Sequence, residues 1–167
     1  PNQADVLINA RHAADAAGAT TMDRPAWTAV NPKNGDVYLT LTNNSARALD
    51  TTDAANPRYY NDPKGAAKTA QRGNPNGHVV RFADDNRDPT ATTFKWDVYL
   101  FGSRSTMAKD INVSGLTADN DFSSPDGMWF SQAASGLVWL QTDDGKTTDV
   151  TNCMVLVGLP GQVGDGA

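Results

Sequence analysis

The chain has 167 residues, of which 39% are apolar and 20% charged, with a net charge of −5 and a single cysteine. That length suits one domain with a sizeable core. The mean hydropathy of −0.50 accompanies no apolar run near the roughly 18 residues a membrane helix needs. An acidic chain also repels a polyanion, so neither membrane nor nucleic acid is an expected partner.

Ala4–Ala17 predicts one helix: Leu7, Ala10, Ala14 and Ala17 share a face, and Gly18 supplies a stop. Its narrow apolar face predicts packing against a larger body. The segment opening at Pro1 carries no charged and then apolar leader, so no signal peptide is expected in this chain.

From Trp27 the pattern turns to strands. W-T-A-V, a polar turn at Asn31–Asp36 and V-Y-L-T-L-T predict a hairpin. Residues 45–77 show little periodicity and read as a long surface excursion. Strands resume at His78–Phe82 and Phe94–Phe101, giving a four-stranded antiparallel unit over about residues 25–101. A polar stretch, Gly102–Ser124, precedes a second hairpin over Met128–Thr142 and a further strand over Thr151–Gly158. Cys153 in that last apolar strand reads as a small buried hydrophobe, and it has no intrachain partner for a disulfide.

The two hairpins are copies of one another. R-P-A-W-T-A-V-N-P-K-N-G-D-V-Y-L-T-L-T-N-N from Arg24 and S-P-D-G-M-W-F-S-Q-A-A-S-G-L-V-W-L-Q-T-D-D from Ser124 align Pro25 with Pro125 and Trp27 with Gly127. After one inserted residue, Gly35, Val37, Tyr38 and Leu39 fall on Gly136, Val138, Trp139 and Leu140. A hairpin written twice marks a repeat architecture such as a β-propeller. The expected fold class is therefore all-β with one N-terminal helix, as a fragment of a propeller: a first blade over about 25–101 and an incomplete second over about 125–158. In such a fold the starts of the inner strands converge on one axis, and Asp126 stands there opposite Ala26.

Several motifs resemble those of the PhoX-type alkaline phosphatases: the run from Leu7 to Asn44 with M-D-R-P, A-N-P-R at Ala55, G-H-V-V-R-F at Gly77, F-K-W-D-V-Y-L at Phe94 and F-S-S-P-D-G-M-W-F at Phe122. The likeness extends from about Gln3 to about Val157. It implies a six-bladed propeller, of which this chain covers about two blades, with calcium and iron as cofactors, phosphomonoesters as substrates, and a periplasmic or secreted location. It also implies that Arg24 contacts the substrate phosphate and that Asp126 binds calcium. Family members carry R-P-E where this chain has Arg24-Pro25-Ala26, so Ala26 stands at the position of a missing Glu ligand for calcium.

Each of these residues has a plainer reading. Arg24 fits a solvated or salt-bridged surface arginine, and Asp126 before Gly127 fits a turn held by its side chain. Trp27, Trp96, Trp129 and Trp139 fit core or inter-blade packing, and His12 and His78 fit structural roles. Asp119-Asn120-Asp121 lacks the glycine of an EF-hand loop. The Asn43-Asn44-Ser45 sequon carries no weight.

Two functions follow. One is part of a calcium- and iron-dependent phosphomonoesterase that is incompetent as this chain; the other is a non-catalytic propeller fragment acting as a binding or structural module. Uncovered strand edges further predict self-association or pairing with the remainder of a parent chain. Three copies would bring three Asp126 side chains together around one calcium.

Overall fold

The computed structural model of the chain describes residues 2–62, 71–134, 136–144 and 153–161. The expected single helix is two: α1 (Gln3–Ile8) and α2 (Ala10–Ala16). The break falls at Asn9, whose side-chain amide donates to the Asp5 carbonyl at 3.1 Å and so competes with the helical ladder. Asn2 and Asp5 cap α1 reciprocally, and Gly18, at φ +71, follows α2. Neither helix buries a residue, so the expected packing of its apolar face on a larger body is not seen; Leu7 is exposed.

The first sheet has four antiparallel strands in the order β1-β2-β5-β6: β1 (Pro25–Val30), β2 (Val37–Leu41), β5 (His78–Asp84) and β6 (Phe94–Phe101). A small ribbon pairs β3 (Tyr60–Asp62) with β4 (Gln71–Gly73). The third sheet contains β7 (Pro125–Phe130), β8 (Val138–Thr142) and β9 (Val155–Gly158), in that order. Residues 151 and 152, where the last strand was expected to start, lie outside the described residues.

Backbone geometry repeats the sequence repeat. β1 pairs with β2 through Pro25↔Leu41 and then Thr28↔Leu39, with a bulge between. β7 pairs with β8 through Pro125↔Thr142 and then Met128↔Leu140, with the same bulge. Both turns contain a glycine at positive φ, Gly35 at +80 and Gly136 at +90, where a side chain is strained.

The third sheet lies on the first, with β7 packed on β1 and β2. Period-two alternation decides which side chains meet: Ala29 and Tyr38 from the first sheet face Met128, Phe130, Val138 and Leu140 from the third, all buried in one cluster. The Tyr38 ring meets Phe130 edge-on at 5.0 Å and Tyr99 at 5.4 Å. Each buried aromatic contributes about 1.5–3 kcal/mol by leaving water. Between the sheets remains an apolar cavity of about 170 Å³, bordered by Val79, Tyr99, Phe122, Met128 and Leu156.

Among its described residues, 45–62 and 71–77, the expected surface excursion is folded inward. Arg47, Asn56, Arg58, Tyr60, Asp62, Asn74 and Asn76 within it are buried. Hydrophobic periodicity missed it because polar pairing, not apolar contact, folds it inward. Asp23 is fully buried and accepts from the side chains of Asn44 (2.8 Å), Arg47 (2.8 Å) and Asn74 (3.0 Å). Arg58 donates to the carbonyls of Gly102 (2.7 Å) and Ile111 (3.0 Å), and its guanidinium lies 4.6 Å from the Tyr60 ring centre. Glycine matters most at Gly77, where a Cβ would sit 2.1 Å from the Thr42 carbonyl oxygen.

Two further expectations fail. Cys153 is exposed, because it precedes β9 at the open edge of its sheet instead of lying inside a covered strand. Of the two roles expected for the tryptophans, the core one fails as well: Trp27, Trp96, Trp129 and Trp139 are all exposed, while smaller side chains fill the cluster between the sheets.

Candidate functional site

Arg24 and Asp126 sit at the starts of β1 and β7, the two strands that abut between the sheets. Arg24 precedes Pro25 and lies at φ +57; Ser124 precedes Pro125 and lies at φ +56. Left-handed backbone at a non-glycine residue costs about 1–2 kcal/mol and persists only where surroundings impose it. Here the two carbonyls are fixed by matching bonds: Thr42 N–H donates to Arg24 O at 3.1 Å and Asp143 N–H to Ser124 O at 2.9 Å.

Side chains complete the link. Arg24 Nη1 donates to Asn43 Oδ1 at 2.9 Å, and Asn43 Nδ2 donates to Ser124 Oγ at 3.0 Å. The Arg24 side chain is exposed and makes no ion pair among the described residues. Of the two plainer readings the salt-bridged one is therefore not seen among the described residues, and the guanidinium is anchored at Nη1.

Thr40, fully buried, ties the strands together a second time: its hydroxyl accepts from Trp27 N–H at 2.9 Å and donates to the Asp126 carbonyl at 2.7 Å. Asp126 is half-buried within the β7 bulge. Its carboxylate holds no turn among the described residues, so the turn-forming alternative does not apply. Ala26 occupies the matching bulge of β1 and is exposed.

Sequence reasoning missed Thr40, Asn43 and Ser124. The only signal at Asn43 was a sequon, and burial with both amide atoms bonded shows what that asparagine does instead. His78 is a structural residue of the neighbouring network. Asn74 Nδ2 lies 2.9 Å from its Nδ1, and its Nε2 lies 2.7 Å from the Ala55 carbonyl. Because Asn74 donates and a carbonyl only accepts, the proton resides on Nε2. Burial, partly opposed by that carbonyl, lowers its pKa to about 4. His12 is exposed. Asp121 accepts from Ser105 N–H and Oγ at 3.0 and 2.9 Å.

The donor set does not by itself fit calcium or iron. Calcium takes about six to eight oxygens, whereas the site offers one carboxylate, Asp126, with Ala26 opposite. Among the described residues, no three His, Cys, Asp or Glu side chains cluster as metal ligands. No described helix is long and apolar enough to cross a membrane.

Residues 1–164 match the family described as Alkaline phosphatase PhoX, and the chain belongs to that family. Among solved structures, it is similar to "Pseudomonas fluorescens PhoX in complex with vanadate, a transition state analogue", with 36% identity and a TM-score of 0.74. The match covers 95% of this chain and 26% of that one, so the chain spans about a quarter of the length of its relative. No curated protein matches.

Proposed function

We propose that the chain contributes one phosphate-contacting arginine, Arg24, and one calcium-directed carboxylate, Asp126, to a PhoX-type phosphomonoesterase site, and that alone it does not turn substrate over. The observation that carries this is the Arg24–Asn43–Ser124 bridge, which holds an exposed guanidinium beside the strand start that bears Asp126. A forked guanidinium suits a tetrahedral phosphate or its vanadate mimic, because two N–H groups can reach two oxygens. The two larger sheets are read as blades of a six-bladed propeller in an exported, periplasmic or secreted enzyme. Calcium and iron are the cofactors of the complete site, and Asp126 would supply only one of the oxygens that calcium needs.

A specific observation favours the second reading, a non-catalytic binding or structural module: Ala26 is exposed where the family has a carboxylate ligand. Phosphomonoester hydrolysis with added calcium and iron, together with vanadate binding, separates the two. Vanadate binding lost in Arg24→Gln, without turnover by the chain, supports the proposed site. Turnover by the unaltered chain rejects its incompetence, and oxyanion binding indifferent to Arg24 favours the module.

A further inference from the structure

One motif of the family likeness, A-N-P-R at Ala55–Arg58, lies outside the two strand starts, yet its asparagine grips the chain just before Arg24. Asn56 is fully buried. Its Oδ1 accepts from the Asp23 N–H at 3.0 Å and its Nδ2 donates to the Thr21 carbonyl at 3.0 Å, so one amide brackets Met22 from 33 and 35 positions along the chain. Directly after this bracket the Arg24 N–H donates to the Met22 carbonyl at 3.0 Å, closing a three-residue turn. Arg24 then stands in the left-handed region, at φ +57, which an arginine keeps only where its surroundings impose it.

Asn56 is itself a fixed point. Its backbone N–H and its side-chain amide donate to the Asp53 carboxylate at 2.8 and 3.0 Å. The preceding Ala55 carbonyl lies 2.7 Å from His78 Nε2, and Pro57 after it restricts its backbone. Arg58 closes the motif on the carbonyls of Gly102 and Ile111. We propose that Asn56 is a positioning residue for Arg24: it sets the backbone from which the guanidinium is presented, while Asn43 sets the tip. This rests on the reading of Arg24 as a phosphate contact. An arginine held at both backbone and tip loses less side-chain freedom when an oxyanion binds, and so binds it more tightly. The Asp23 carboxylate, held by Asn44, Arg47 and Asn74, is a separate fastening, so removing the Asn56 amide leaves the buried ion pair its partners.

The test is a cycle of vanadate affinities for the unaltered chain, Asn56→Ala, Arg24→Gln and the double variant. Gly35→Ala, which strains the far turn of the same hairpin at φ +80, is the control and is expected to leave affinity unchanged. Asn56→Ala is expected to weaken vanadate binding about two- to tenfold, the range of one immobilised side chain, and to add nothing in the Arg24→Gln background. Hydrogen exchange at the Arg24 amide reads the positioning without a ligand and is expected to speed up about tenfold in Asn56→Ala. Circular dichroism confirms folding; if Asn56→Ala does not fold, Asn56→Asp replaces it, since it keeps an acceptor for the Asp23 N–H but offers Thr21 no donor. Vanadate binding indifferent to Arg24→Gln removes the phosphate reading and this inference with it. Binding that needs Arg24 but not Asn56, an Asn56→Ala loss that persists beside Arg24→Gln, or an unchanged Arg24 amide overturns the positioning role alone.

Discussion

Arg24 and Ser124, about 100 residues apart, adopt the same left-handed backbone, at φ +57 and +56, and are joined through the buried Asn43 side chain. The repeat therefore positions two strand starts alike, while one asparagine, bonded at both ends of its amide, couples them.

Removing that coupler has a defined cost. Asn43→Ala strips a buried hydroxyl of one partner and frees the guanidinium, for an expected loss of about 1–3 kcal/mol. Urea unfolding of the single variants and of the Asn43→Ala/Ser124→Ala pair measures it, and the two losses are expected to be non-additive because the residues share a bond.

Substitution at Arg24 is expected to act on binding and on stability. Arg24→Gln should lower vanadate or phosphate affinity about tenfold or more, since a charge-assisted forked contact disappears. Because the buried Asn43 Oδ1 loses its donor, the thermal midpoint is expected to fall, but by no more than in Asn43→Ala. Arg24→Lys keeps the charge but not the fork, so an intermediate affinity is expected.

Acid should weaken the fold through His78. Its pKa in the fold, about 4, lies below the ordinary 6.5, so the unfolded chain takes up the proton first. The contribution is complete above pH 6.5, falls as pH drops from there to about 4, and is then constant. It amounts to at most about 3 kcal/mol. The measurement is denaturant unfolding from pH 7.5 to 4, and the slope assigned to His78 should vanish in His78→Gln.

Two glycines at positive φ should respond unequally. Gly35→Ala meets no atom within 4 Å and is expected to cost about 1–2 kcal/mol of backbone strain. Gly77→Ala places a methyl 2.1 Å from the Thr42 oxygen and 2.4 Å from the Leu41 oxygen. Because neither carbonyl can move without breaking the sheet, its thermal midpoint should fall much further.

Breaking the buried ion pair should be severe. Arg47 Nη2 lies 2.7 Å from Asp23, and both side chains are buried. Arg47→Met leaves an uncompensated carboxylate, with an expected loss of about 3–5 kcal/mol. Equilibrium unfolding reads it, and Asp23→Asn in the same background is expected to recover part of the loss.

The sequence by itself determined the elements whose signals are local. Alternation wrote the strands, glycine wrote the turns at Gly35 and Gly136, and the duplicated text from Arg24 and Ser124 fixed a shared register down to its bulge. M-D-R-P and S-P-D-G also made the family legible. Tertiary structure alone decided what depends on partners distant in the chain. Residues 45–62 and 71–77 look like loop because their order comes from polar pairs such as Asn74 with Asp23, 51 positions away, which leave no periodic trace. Asn43 and Thr40 were silent for the same reason, since their partners Ser124 and Asp126 lie 81 and 86 residues on. The exposure of the tryptophans followed only once the sheets were stacked: alternation says that two faces differ, and packing decides which one is covered.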